Sequence, residues 1–187
     1  MLTYFAMARM SAEERKDAII DVAIDEFGAG GLAGTNVEAI ARRVRVTQPY
    51  VFRLFGTKKA LFLECVEVCF TETQDAFESA AAGLSGEHAL QAMGRAYGEL
   101  IQDRSRLRMQ LQAYAACDDV DVRRLVRRRY GELVEFAEGV SGVDKSRISA
   151  FFATGMMLNV LAATDLLSAK EGWAARLLEG CGVMASA

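Results

Sequence analysis

The side chains that usually carry covalent chemistry are sparse and scattered in this sequence. His88 is the single histidine, and no Ser, Cys or Asp pattern around it suggests catalysis. Cys65, Cys69, Cys117 and Cys181 have no CxxC spacing. Cys65 and Cys69 stand one helical turn apart and could form half of a thiolate site. With no further ligands at metal spacing, buried free thiols acting as small hydrophobes are the simpler reading. There is no glycine-rich phosphate loop after a strand and no nucleophile elbow. The expectation is therefore no enzyme, no metal and no cofactor. What the sequence does gather is hydrogen-bonding and cationic chemistry in "VTQPYVFRLFGTKKALF", residues 46–62, a run with no acidic side chain.

Charge is unevenly placed around this run. Residues 1–63 carry nine Lys and Arg against seven acids, whereas 64–187 carry 13 against 18. Between 42 and 59 there are six cations and no acid. A basic segment confined to one part of an acidic protein suggests a local surface for a polyanion, with an ordinary solvated charged face as the alternative.

The elements that must position these residues are helices. The chain has 187 residues and one proline, and 52% of its residues are hydrophobic, enough for a real core and for long uninterrupted helices. The expected class is all-α. Ser11 and Glu14 form a capping box that opens a helix over about 12–28, stopped by Gly28, Gly30 and Gly31. Thr35 to Glu38 reads as a second capping box, opening a helix over about 36–44. Thr47 caps a third, with Gln48 and Pro49 in its first turn and Gly56 at its end. Two short helices behind a longer one make a helix-turn-helix, whose second helix is where base-reading side chains would sit. Val51, Phe52, Leu54 and Phe55 are expected to form its buried back.

Thr57 caps a long fourth helix, and "GLSGEH" at 83–88 is the best linker. Further helices are expected at about 86–102, 104–117, 119–139, 144–166 and 170–183. The two domains expected are 1–56, a DNA-binding unit with 1–10 as a flexible arm, and 57–187, a regulatory and dimerisation unit. No apolar run reaches the ~18 to 20 residues of a bilayer span, and the first ten residues lack signal-peptide features. The expected location is cytoplasmic. The helix at 144–166 is apolar on two sides: Phe151, Gly155, Leu158 and Ala162 line one, Phe152, Met156, Val160 and Ala163 the other. It needs two coverings, so the first four residues are taken as a dimer interface, with a central core helix of a monomer as the alternative.

"GTNVEAIARRVRVTQPYVFRLFGTKKALF" resembles the DNA-binding signature of the TetR (tetracycline-repressor) family, and the match extends back through the first helix, over about residues 14–65. In that signature a T-T/S-V start leads to an I-A pair, a G-V-S turn, a short recognition helix and an S/T-K-x-x-L-F opening of the next. This chain departs from it at Arg45, where the family usually has glycine, and at Phe52, Arg53 and Leu54, where an aromatic is often followed by His. Arg45 forces the turn either to avoid a positive φ or to accept strain. Phe52 lacks the hydroxyl that often reaches a phosphate.

The resemblance implies a ligand-responsive regulator, usually a repressor, that binds a palindromic operator in double-stranded DNA as a homodimer. Gln48, Pro49, Tyr50 and Arg53 would face base edges, with Arg53 on guanine or on a phosphate. Thr35, Thr47, Arg45 and Lys58 would hold phosphates. A small-molecule effector in the C-terminal bundle is implied in the same way, with Tyr97, Met109, Tyr114, Met156 and Trp173 as candidate pocket residues. The arginines of "RRLVRRRY", 123–130, read as an exposed face or as an attraction for an anionic effector. A helical protein-interaction or small-molecule-binding module without sequence-specific DNA binding is the alternative.

Overall fold

Helix starts in this chain are set by side chains that satisfy the free backbone N–H groups of a first turn. In the computed structural model, which describes residues 11–166 and 172–180, with side chains as far as 177, the Ser11 capping box is complete. Its hydroxyl accepts from the Glu14 amide at 3.1 Å and the Glu14 carboxylate accepts from the Ser11 amide at 2.6 Å. Asp103 caps at Ser105, Asp119 at Asp121, and Asp144 at Arg147. The described residues form nine helices and no strand: α1 (Ala12–Gly34), α2 (Val37–Arg43), α3 (Gln48–Phe55), α4 (Lys58–Ala81), α5 (Gly86–Leu100), α6 (Arg104–Ala115), α7 (Val120–Ser141), α8 (Lys145–Ala163) and α9 (Gly172–Gly180). The architecture is all-α, as the sequence indicates. The expected arm at 1–10 and both outer ends of the expected 170–183 helix lie outside the described residues.

Two of the expected helix ends are corrected. The glycine cluster does not stop α1 at residue 28; the helix breaks at Gly31, with φ 65° and ψ 179°, and a last turn runs on to Gly34. The cap of α2 is Asn36, whose side chain accepts from the Glu38 amide at 2.9 Å, and not Thr35. The Thr35 hydroxyl is buried and lies 2.8 Å from the Gly31 carbonyl and 3.0 Å from that of Glu26. It closes the end of α1, so the hydroxyl is not turned outward as a phosphate contact requires.

The chain forms two compact units. The first takes residues up to Thr71 together with Arg108–Tyr130. Its core joins Ile19, Ala23, Ile24 and Phe27 of α1 with Ile40 of α2, Val51 of α3 and Leu61, Phe62 and Cys65 of α4. Phe27 meets Phe62 edge to face, with centroids 5.1 Å apart. Cys65 and Cys69 are buried, and no metal-holding group of His, Cys, Asp and Glu occurs among the described residues.

The second unit takes Glu72–Leu107 and the chain from Gly131 onward. Phe77, Tyr97 and Phe151 form a contiguous aromatic cluster, with centroid separations of 6.3 and 5.9 Å. Inside it the Tyr97 hydroxyl donates to Asn159 Oδ1 at 2.7 Å, so the polar group within apolar α8 is paired. By length and composition α8 is apolar enough to cross a membrane, which corrects the expectation that no stretch reaches that length.

Candidate nucleic-acid interface

The turn between α2 and α3 is a Schellman motif. The Val46 amide donates to the Ala41 carbonyl at 2.9 Å and the Arg45 amide to that of Arg42 at 3.2 Å. This closure requires a left-handed residue, and Arg45 supplies it at φ 58°. Of the two options open to this turn, the chain takes the strained one. An L-residue in that region costs roughly 1–2 kcal/mol relative to its right-handed form.

α3 then presents a mixed outer face. Pro49 sits in its first turn, where the missing N–H breaks no helical bond. Val51 and Phe55 are buried and hold the helix to the core. Phe52 is not part of that back: it is 37% exposed, while Leu54 is half-buried. Phe52 stands one turn on from Pro49, on the exposed side of α3, and sequence patterning missed it because an aromatic among Val, Leu and Phe looks like core. Thr47 is exposed and its side chain makes no cap bond, so its hydroxyl is available outward. Gln48 is half-buried. Tyr50 is also half-buried, and the Arg53 guanidinium lies over its ring, 4.8 Å from the centroid.

The six cations of 42–59 divide by partner. Arg43 is tied to Asp25 and Glu26 of α1, both at 2.8 Å. The Glu26 bond and then the Asp25 bond hold its guanidinium further above its usual range. Lys59 is tied to Asp121 at 2.6 Å and Asp119 at 3.3 Å, the Asp121 bond being the larger cause of its raised ammonium pKa. Lys58 donates to the carbonyls of Ala33 at 3.0 Å and Thr35 at 3.2 Å, where the end of α1 concentrates negative partial charge. Arg42, Arg45 and Arg53 have no carboxylate partner among the described residues. Of the six, only Arg43 and Lys59 are offset by carboxylates among the described residues; Arg42, Arg45 and Arg53, with Lys58 anchored on carbonyls, keep their charge around α3.

Of the residues expected to line a pocket, Met109 and Tyr114 belong to the first unit and Tyr97, Met156 and Trp173 to the second. Met109 is fully buried in the first unit, and Tyr114, also there, accepts from the Gln110 amide at 2.9 Å. Tyr97 and Met156 meet around Asn159 in the second unit, where the Asn159 amide contacts the Met156 sulfur at 3.8 Å. Trp173 is half exposed on α9. The 123–130 arginines are mostly spoken for: Arg128 and Arg129 face Glu67, and Arg123 donates to the Cys117 carbonyl at 2.7 Å.

The dimer candidates are all partly covered within the chain. Phe151 packs on Phe77, and an added Cβ at Gly155 would stand 3.8 Å from the Tyr97 ring, so both residues look into their own protomer. Leu158 and Ala162 are partly covered. Met156 and Val160 of the second side are exposed, the latter at 50%, together with the neighbouring Ala153, while Phe152 and Ala163 are partly covered. Pattern alone shows that two apolar sides exist; only packing shows which is used within the chain.

A three-helix head closed by a Schellman turn, with an outward, cation-flanked second helix, defines a helix-turn-helix DNA-binding regulator. Residues 19–65 match the family described as bacterial regulatory proteins, tetR family. No curated protein sequence matches the chain. Among solved structures the chain is similar to a TetR-like transcriptional regulator from Rhodococcus sp. RHA1, with TM-score 0.70 and 21% identity over 92% of this chain and 96% of that one. It is also similar to a putative transcriptional regulator from Pseudomonas aeruginosa PAO1, with TM-score 0.72 and 20% identity over 94% and 90% of the two chains. A putative TetR-family regulator from Mesorhizobium loti MAFF303099 gives TM-score 0.67 and 19% identity over 92% and 94%. The matched head and the shared fold make the chain similar to TetR-family regulators.

Proposed function

We propose that this regulator acts as a homodimeric repressor in the cytoplasm, binding a palindromic operator and releasing it when a small molecule binds the C-terminal helices. The observation that carries the DNA part is the outer face of α3. It gathers Gln48, Pro49 and Arg53, flanked by Arg42 and Arg45, while the neighbouring cations are paired with carboxylates or carbonyls. In this reading Gln48, Pro49 and Arg53 meet base edges, Thr47 and Arg45 meet phosphates, and Lys58 steadies the edge of the head with one N–H still to give.

One short helix reads only a few base pairs, so adequate selectivity calls for two heads on a two-fold site. Release by an effector requires that it bind better to an arrangement of the heads that does not fit the groove. The test is selection of bound duplexes from a fully randomised pool by the intact protein, followed by gel retardation over a salt series. An enriched inverted repeat whose affinity falls with salt is expected. Binding that is equally strong on every duplex, or none at all, would overturn the reading. A thermal-shift screen of small molecules, with hits tested for loss of retardation, checks the effector.

A further inference from the structure

The geometry points to Tyr50 as the seat of Arg53, a positioning residue whose ring holds the guanidinium to read one guanine in each half-site. This inference rests on the DNA-binding reading above and goes further in dividing the labour on α3.

The contrast between the cations motivates it. Arg43, Lys59 and Lys16 rest on carboxylates, which neutralise them. Arg53 instead rests on an aromatic face, 4.8 Å from the Tyr50 centroid, and remains exposed with no carboxylate partner among the described residues. A π face fixes a guanidinium without consuming its N–H groups, because the attraction comes from the ring quadrupole and leaves the donor edges of the planar cation open. A carboxylate would take the same fork that a base needs.

Position reinforces the point. Arg53 belongs to the last turn of α3, and an unguided arginine there would naturally sweep the phosphates. Long helical side chains lean toward the N-terminus, onto the residue three or four places back. Stacking on Tyr50 fixes that lean and carries the charge by about 4.5 Å along the axis, three residues of helical rise. That is the end of the reading helix that meets base edges. A fork of parallel N–H donors matches O6 and N7 of guanine and no other base in the major groove. Holding an otherwise mobile side chain before binding also removes part of its ordering cost.

The experiment uses the intact protein and the duplex that it selects from a randomised pool. In that duplex each conserved guanine is replaced in turn by 7-deazaguanine, which lacks the N7 acceptor. The expected result for the wild type is a drop of about 10-fold at one guanine per half-site. Arg53→Lys and Tyr50→Leu should each lose that preference and become insensitive to the deaza base at the same position, while Tyr50→Phe keeps both. The double variant should bind no worse than Arg53→Lys alone. Tyr50→Leu preserves apolar volume, and its helical circular dichroism is compared with that of Tyr50→Phe. If Tyr50→Leu is unfolded, Tyr50→Phe and Arg53→Lys decide the matter with the deaza series.

Several outcomes would overturn the inference while leaving DNA binding intact. They are an enriched site with no guanine that responds, a Tyr50→Phe variant as impaired as Tyr50→Leu, or Arg53→Lys losses spread evenly over all sequences. A pool that yields no enriched sequence overturns the DNA-binding reading itself.

Discussion

Arg45 shows how one residue can serve binding at the expense of the fold. Its left-handed φ of 58° closes the turn before α3, and its exposed guanidinium has no carboxylate partner among the described residues. Arg45→Gly removes the Cβ strain but adds chain entropy to the unfolded state, so the net gain should be about 0.5–1 kcal/mol in urea unfolding. The same substitution deletes a candidate phosphate contact. Its affinity for the selected duplex and for random DNA should fall together, with a salt slope shallower by about one unit. Greater stability with unchanged DNA affinity would show that Arg45 has no part in binding. The strain at this residue was legible in the sequence as a pair of options; which was taken depended on the two backbone bonds that close the turn.

Between elements, the described interactions are mostly short clamps, and two of them give sharp expectations. Gly31 breaks α1 in a conformation that side chains rarely adopt, and a Cβ there would stand 2.7 Å from the Gln112 side-chain oxygen. Gly31→Ala should therefore cost about 1–3 kcal/mol of stability. Adding Gln112→Ala should recover only part, because the clash is relieved but the backbone strain is not. Full recovery in chemical unfolding would mean that φ is not the main cost. Glu87 of α5 and Arg147 of α8 form the second clamp, with bonds of 2.6 and 2.8 Å. The Arg147 bond is the leading cause of the depressed Glu87 pKa. A depressed carboxylate stabilises the fold fully above its unfolded pKa, and that contribution disappears as pH falls through the lower folded value. Glu87→Gln should thus melt earlier than the wild type near neutral pH and converge with it in acid, once the pH is below the depressed folded pKa of Glu87. A gap that persists in acid would point to lost packing and not to the ion pair. The helices themselves were legible because Ser11 and Thr57 are caps written in the chain. The role of Thr35 was not, since Thr35 and Asn36 are both competent caps and only the path of α1 past Gly31 turns the threonine inward.

For the whole molecule, the decisive question is which side of α8 meets a second copy. The sequence shows two apolar sides, and the protomer uses the one bearing Phe151 and Gly155 against Phe77 and Tyr97. On the proposed dimer, the partner therefore covers Ala153, Met156 and Val160. Val160→Glu places a carboxylate where water must be excluded, a cost of several kcal/mol for each copy of an unpaired buried charge, and two copies on a two-fold axis also repel each other. The variant should keep its helical content, because residue 160 is half exposed within one chain. It should sediment and scatter as a monomer at concentrations where the wild type is a dimer, and bind an inverted-repeat duplex no better than a single half-site. Phe151→Ala is the counterpart: it removes a partly buried ring from the aromatic cluster, so it should lower the unfolding midpoint by an amount corresponding to about 1–3 kcal/mol. Association measured on its folded fraction should be preserved. If Val160→Glu remains a dimer while Phe151→Ala dissociates without losing stability, the faces are assigned the wrong way round, and the coupling between two reading heads must run through the other side of α8.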